Sequence, residues 1–176
     1  DTRQRARPAE AMDSTRGGMP RERRQVRCGH RLGGMETARL VAMGVRPVQG
    51  VVLSSPALDP GLNAFQKMLL ALLPRIAPDL SVPNGIDPRN ISHDPVVVQA
   101  YRNDPLIHRR ISGRLARFIV QAGVATLARA SGWSVPTLLL YAGEDKLVSP
   151  AGSRAVAAAA PKQAVTSHCF EAMYHE

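Results

Sequence analysis

The 176-residue chain is 44% hydrophobic and carries a formal net charge of +9, which fits one globular domain able to bury a core and excludes wholesale disorder. Its two cysteines, Cys28 and Cys169, are too few for a disulfide framework, and no CxxC or His/Cys cluster has metal-binding spacing, so neither a metal nor a cofactor is expected. No apolar run approaches the roughly 18 residues of a membrane span, and the charged start lacks the apolar stretch of a signal peptide, so a cytoplasmic location is expected.

Residues 1–27 hold eight of the 23 basic residues against four acids. With Pro8, Gly17, Gly18 and Pro20 as breakers and no apolar period, this Arg-rich segment is expected to be disordered and unrelated to the rest of the chain. A basic surplus raises the question of nucleic acid. Here it comes without aromatic interleaving or a recognition motif, and no nucleic-acid partner is expected.

From Cys28 the texture changes. Gly29-His30-Arg31-Leu32-Gly33-Gly34, succeeded by a helical pattern through Met43, has the shape of a sharp strand-to-helix turn. Residues 48–54 form a β-branched run ending in Ser55-Pro56, which suits a strand buried in a parallel sheet. Residues 137–141 give a second strand, entered from Pro136 and leaving through Ala142-Gly143, and residues 164–170 a weaker third. Between these last two, residues 151–160 predict a helix opened by Ser149-Pro150. Strand, helix, strand in that order implies a parallel unit with a right-handed crossover.

About eighty residues separate the first two strands, far too many for one crossover loop. An insertion that is mostly helical is expected at about 60–133. Phe65, Met68, Leu69, Leu72, Leu73 and Ile76 recur at helical spacing as an apolar stripe, and residues 96–101 and 111–130 are also helix-compatible.

These segments together resemble the monoacylglycerol lipase-like α/β-hydrolases, an S33-type family. GHRLGG (residues 29–34) resembles the family's GxSxG nucleophile elbow in its GHSMGG form. VVLSSPALDPG (51–61) resembles the strand and exit loop that come after the elbow helix, and YRNDPL (101–106) resembles the cap signature. VPTLLLYAGEDKLVSP (135–150) resembles the strand that delivers the catalytic acid, and YHE (174–176) the histidine loop. The resemblance implies an α/β domain over residues 28–176: a partial α/β-hydrolase fold, a parallel sheet with flanking helices, carrying a helical cap at about 60–133. The family has further strands before the elbow and a final helix after the histidine. The chain therefore reads as a C-terminal half with the N-terminal strands missing, which would leave an unpaired sheet edge and exposed apolar faces.

Carried over position by position, Asp145 is the triad acid, His175 the base, and the backbone N–H of Leu32 an oxyanion donor. Gly29 and Gly33 are the glycines that would let the elbow backbone pass closely. The position of the serine nucleophile is occupied by Arg31, whose guanidinium stays protonated and offers no nucleophile. His30, His93, His108 and His168 are expected to be structural or solvent-facing, and Ser54 and Ser55 are not assigned the nucleophile's role. What the resemblance implies is hydrolysis of a carboxylic ester of the monoacylglycerol or lysophospholipid type, lost in this chain, with a lipid ester as ligand and peripheral membrane contact through the cap. The competing expectation is a catalytically dead hydrolase-like module that binds a lipid or a protein.

Overall fold

A computed structural model describes residues 25–63, 66, 68, 70, 72, 77 and 79–175. The elements run β1 (Val26–His30), α1 (Arg31–Ala42), β2 (Gly50–Ser54), β3 (Ser81–Pro83), α2 (Pro95–Asn103), β4 (Arg110–Ser112), α3 (Gly113–Leu127), β5 (Thr137–Ala142), α4 (Pro150–Ala159) and β6 (Val165–Phe170). Short 3-10 turns lie at Pro88–Asn90 and Ala130–Gly132.

Strands β1, β2, β5 and β6 lie side by side in that order, all parallel. The register pairs His30 with Ser54, Ser54 with Leu140, and Leu140 with His168, so these four residues form one row near the carboxyl ends of the strands. Side chains alternate across a sheet. Val51, Leu53, Leu139 and Val165 point to one face and are at most 5% exposed. There they pack with Met35 and Ala38 of α1, Ala122 of α3, and Val156 and Ala157 of α4 in a single core. The opposite face shows Val26 (61% exposed), Leu138 (39%) and Phe170 (41%).

Helix starts obey local chemistry. Asp94 accepts a hydrogen bond from the Val96 N–H ahead of α2, with Pro95 in the first turn, and Ser112 accepts from the Leu115 N–H ahead of α3. Each satisfies an amide that the helix itself cannot. Pro150 opens α4, where a missing N–H costs nothing.

Three expectations shift. The helix predicted over 111–130 begins at Gly113, because Arg110–Ser112 pairs antiparallel with Ser81–Pro83. Three-residue strands are too short to show a period of two, so the sequence pattern does not announce this ribbon. Second, α3, placed by sequence within the insertion, packs against α1 and α4 in the layer that covers the sheet. Its Gly123 lets it lie against the loop leaving β2, where a Cβ would collide with the Leu58 carbonyl oxygen. Third, the strand predicted over 48–54 starts at Gly50. Of the apolar stripe, Met68 and Leu72 are helical and about half exposed, whereas Phe65, Leu69, Leu73 and Ile76 lie outside the described residues. Residues 1–24 of the Arg-rich segment also lie outside them, and Val26 and Arg27 already belong to β1. Among the described residues no helix is long and apolar enough to cross a membrane.

Candidate active site

The turn from β1 into α1 is a tight one, and its glycines show why. A Cβ on Gly29 would come within 2.6 Å of the Gly33 carbonyl oxygen and 2.8 Å of the Gly34 Cα, and a Cβ on Gly34 within 3.0 Å of the Gly29 oxygen. The helix start therefore lies directly against the strand end. The family resemblance assigns Gly33 the second role in this approach. A Cβ on Gly33 would meet nothing within 4 Å, so Gly34 takes that role, and Gly33 contributes only its backbone.

At the apex stands Arg31, the first residue of α1, in the left-handed region with φ 53°. A long side chain adopts that conformation only where the surroundings impose it. The Arg31 carbonyl accepts a hydrogen bond from the Ala57 N–H at 2.9 Å, which ties the apex to the loop leaving β2. Leu32 comes next as the second residue of the helix. Its N–H belongs to the first turn, where an α-helix leaves amides without intrahelical partners, and no side chain of the N-cap residue His30 covers them.

Asp145 lies in the loop leaving β5 and His175 in the loop leaving β6, so adjacent parallel strands deliver both to the carboxyl edge of the sheet. This is where open α/β sheets build their sites. Gly143 brings the loops together, since a Cβ on it would fall 2.5 Å from the Glu171 carbonyl oxygen. The Gly143 N–H donates to Phe170 O and the Glu144 N–H to Met173 O. The result is a 2.6 Å contact between His175 Nδ1 and Asp145 Oδ2, with side chains 0% and 2% exposed.

Asp145 Oδ1 accepts from the backbone N–H groups of Leu147 (2.8 Å) and Val148 (2.9 Å). Burial by itself would push this carboxyl up. The hydrogen bonds from His175, Val148 and Leu147 and the charge interaction with His175 outweigh it, and the carboxyl is held below its ordinary value. A carboxylate so fixed takes the Nδ1 proton of a neutral imidazole as a hydrogen bond, which leaves Nε2 as the basic nitrogen. That Nε2 is buried and has no hydrogen-bond partner among the described residues.

His30, which sequence reasoning leaves outside the site, is part of this neighbourhood. Its ring lies 4.9 Å from that of His175, and its Nδ1 lies 3.2 Å from Ser54 Oγ. The pairing of His30 with Ser54 across β1 and β2 is the signal that reveals it. Sequence alone gives the two strands but not their register. His93 stacks on Tyr174 beside the site. His108 and His168 stand apart, the first against Arg110 O and the second edge-on to Phe170. A cavity of about 330 Å³ opens beside the pair, lined by His30, Ser54, Leu140, Phe170, Met173 and His175 among others. Among the described residues no group of three or more His, Cys, Asp or Glu could hold a metal ion.

The sequence pattern of the family described as serine aminopeptidase, S33 matches residues 9–176, a span that takes in part of the Arg-rich segment. The chain is 30% identical over 154 residues to a monoacylglycerol lipase of Mycolicibacterium smegmatis, covering 84% of this chain and 54% of that protein. It is 32% identical over 124 residues to the phospholipase YtpA of Bacillus subtilis, covering 68% and 48%. The crystal structure of Paleococcus ferrophilus monoacylglycerol lipase superimposes with a TM-score of 0.81 at 35% identity, over 87% of this chain and 60% of that one. The chain thus spans about half the length of the curated relatives it matches.

Proposed function

Because the chain belongs to the serine aminopeptidase S33 family of α/β-hydrolases, we propose that its site is that of a carboxylic-ester hydrolase of the monoacylglycerol lipase or lysophospholipase type, holding the acid and the base without the nucleophile. The observation that carries this is the buried 2.6 Å contact of His175 with Asp145, at the sheet edge where the elbow places Arg31. In the ester-hydrolysing reading, His175 Nε2 takes the proton of an attacking hydroxyl and later returns it to the leaving alcohol. Asp145 fixes the tautomer and stabilises the imidazolium. The Leu32 N–H, at the positive end of α1, faces the oxygen on which negative charge develops.

Arg31 breaks this sequence at its first step. No acyl-enzyme forms on a guanidinium, and loss of a triad nucleophile leaves only the small rate that binding and the oxyanion hole provide. The ligand class that suits the site is a lipid ester, because apolar Leu140, Phe170 and Met173 line the cavity next to His175. The same lining supports the second reading, a module that retains a lipid without cleaving it. We place the protein in the cytoplasm on its two free thiols, Cys28 and Cys169, and assign contact with a lipid surface to the insertion, where Met68 and Leu72 are exposed.

The test is covalent labelling by a fluorophosphonate probe. The unaltered chain is expected to remain unlabelled, Arg31→Ser to label, and Arg31→Ser with His175→Ala to lose the label. Labelling of the Arg31 chain itself, abolished by His175→Ala, would overturn the reading.

A further inference from the structure

Tyr174 and His175, in the histidine loop, are held in an unusual way. Backbone hydrogen bonds fix that loop as far as Met173, whose carbonyl accepts from Glu144 N–H and whose N–H donates to Phe170 O. Among the described residues no backbone-to-backbone hydrogen bond reaches Tyr174 or His175. Side-chain contacts hold both residues. Inside the site the anchor is Asp145, and outside it the anchor is Tyr174.

Tyr174 is gripped from two elements. Lys146, next in sequence to Asp145, donates from Nζ to Tyr174 Oη at 2.6 Å, with its ammonium 4.3 Å from the ring centroid. His93, which belongs to the insertion, stacks on the same ring at 3.6 Å between centroids and 30° between planes. The ground under His93 is firm: Ile91 is 1% and Ser92 9% exposed, and Asp94 caps α2 through Val96 N–H. The chain order makes the arrangement a double tie. Asp145 and Lys146 stand on one loop and His175 and Tyr174 on the other, so each residue of the acid–base pair has a neighbour that clamps the same two loops from outside.

We propose that Tyr174, held by Lys146 and His93, is the positioning residue for His175, and that the insertion sets the geometry of the acid–base pair through His93. This rests on reading Asp145 and His175 as that pair. A stack between flat rings restrains rotation and tilt together. A tyrosine so restrained passes the restraint to the next residue, whereas a loop free to swing would lengthen the Nδ1 contact. Any ligand that moves the insertion moves His93, and with it the base. The site is in this way sensitive to what occupies its cover.

The experiment reads the proton of the short His175–Asp145 hydrogen bond as a far-downfield line in the proton NMR spectrum of the full chain in water. The parent is expected to show the line and Asp145→Asn to abolish it. His93→Ala and Tyr174→Ala are expected to broaden it or move it upfield, and His93→Phe, which restores a flat ring, to bring it back. His93 is exposed, so its alanine variant tests the proposal even if Tyr174→Ala fails to fold. In the Arg31→Ser background, His93→Ala should slow fluorophosphonate labelling on the order of tenfold, as misplacement of a catalytic group does. A line unchanged in His93→Ala and Tyr174→Ala would overturn the proposal and leave the acid–base reading standing. Absence of any line sensitive to Asp145→Asn in the parent would instead overturn the pair itself, and the positioning role with it.

Discussion

His175 Nδ1 meets Asp145 Oδ2 at 2.6 Å from the far side of a 30-residue span of chain, with both side chains buried. The span contains one helix and one strand, so the contact depends on a complete crossover being formed. It reports on the fold as much as on the site.

The first prediction concerns acid. The Asp145 carboxyl is held below its ordinary value of 3.8, so the folded state binds that proton less readily than the unfolded chain does. Its contribution to stability is present above the unfolded value and disappears as the pH falls through the lowered folded value. Denaturation midpoints measured from pH 6 downward should therefore drop below about pH 4, a range set by carboxylate titration. Asp145→Asn should flatten part of that drop, and an identical acid profile in the variant would refute the assignment.

The elbow glycines give a contrast within one turn. Gly29→Ala forces a Cβ against backbone at 2.6 Å and should destabilise by about 1–3 kcal/mol, as overpacking does. Gly33→Ala has open space inside a helix and should stabilise by about 0.5–1 kcal/mol. Chemical denaturation of the two variants, with equal m-values, checks both signs.

A second contrast lies on β5, where neighbouring leucines face opposite ways. Leu139 is 0% and Leu138 39% exposed. Leu139→Ala should cost about 2–5 kcal/mol, the range for emptying a packed core position. Leu138→Thr should stay within about 0.5 kcal/mol and reduce binding of an apolar dye to the open sheet face. Equal losses in the two variants would mean that both faces of the sheet are covered in solution.

Esterase turnover provides the fourth. The purified chain, assayed on a short p-nitrophenyl ester, should not exceed the Asp145→Asn, His175→Ala double variant, since losing a triad nucleophile costs on the order of 10⁶ in kcat. Turnover well above that control and removed by His175→Ala alone would show that another group supplies the nucleophile.

Much of this architecture is legible in the chain. The runs at 137–141 and 164–170 and the helix opened by Pro150 announce a parallel unit, and the family resemblance adds the elbow and the order of Asp145 before His175. Contacts set by register or close approach are not legible. His30 reaches Ser54 only because β1 and β2 pair in one particular alignment. The roles of Gly34, Gly123 and Gly143 depend on which backbone crosses each of them, and composition does not record that. The β3–β4 ribbon escapes because three residues carry no period. His93 reads as a solvent-facing histidine, since nothing along the chain places it over Tyr174.

The left-handed apex at Arg31 has a wider meaning. Its shape is held from outside, by Gly29 against Gly34 and by Ala57 bonded to the Arg31 carbonyl. A backbone pinned in this way should keep its turn when the side chain at position 31 is exchanged, so Arg31→Ser is expected to change the chemistry offered there and leave the turn in place.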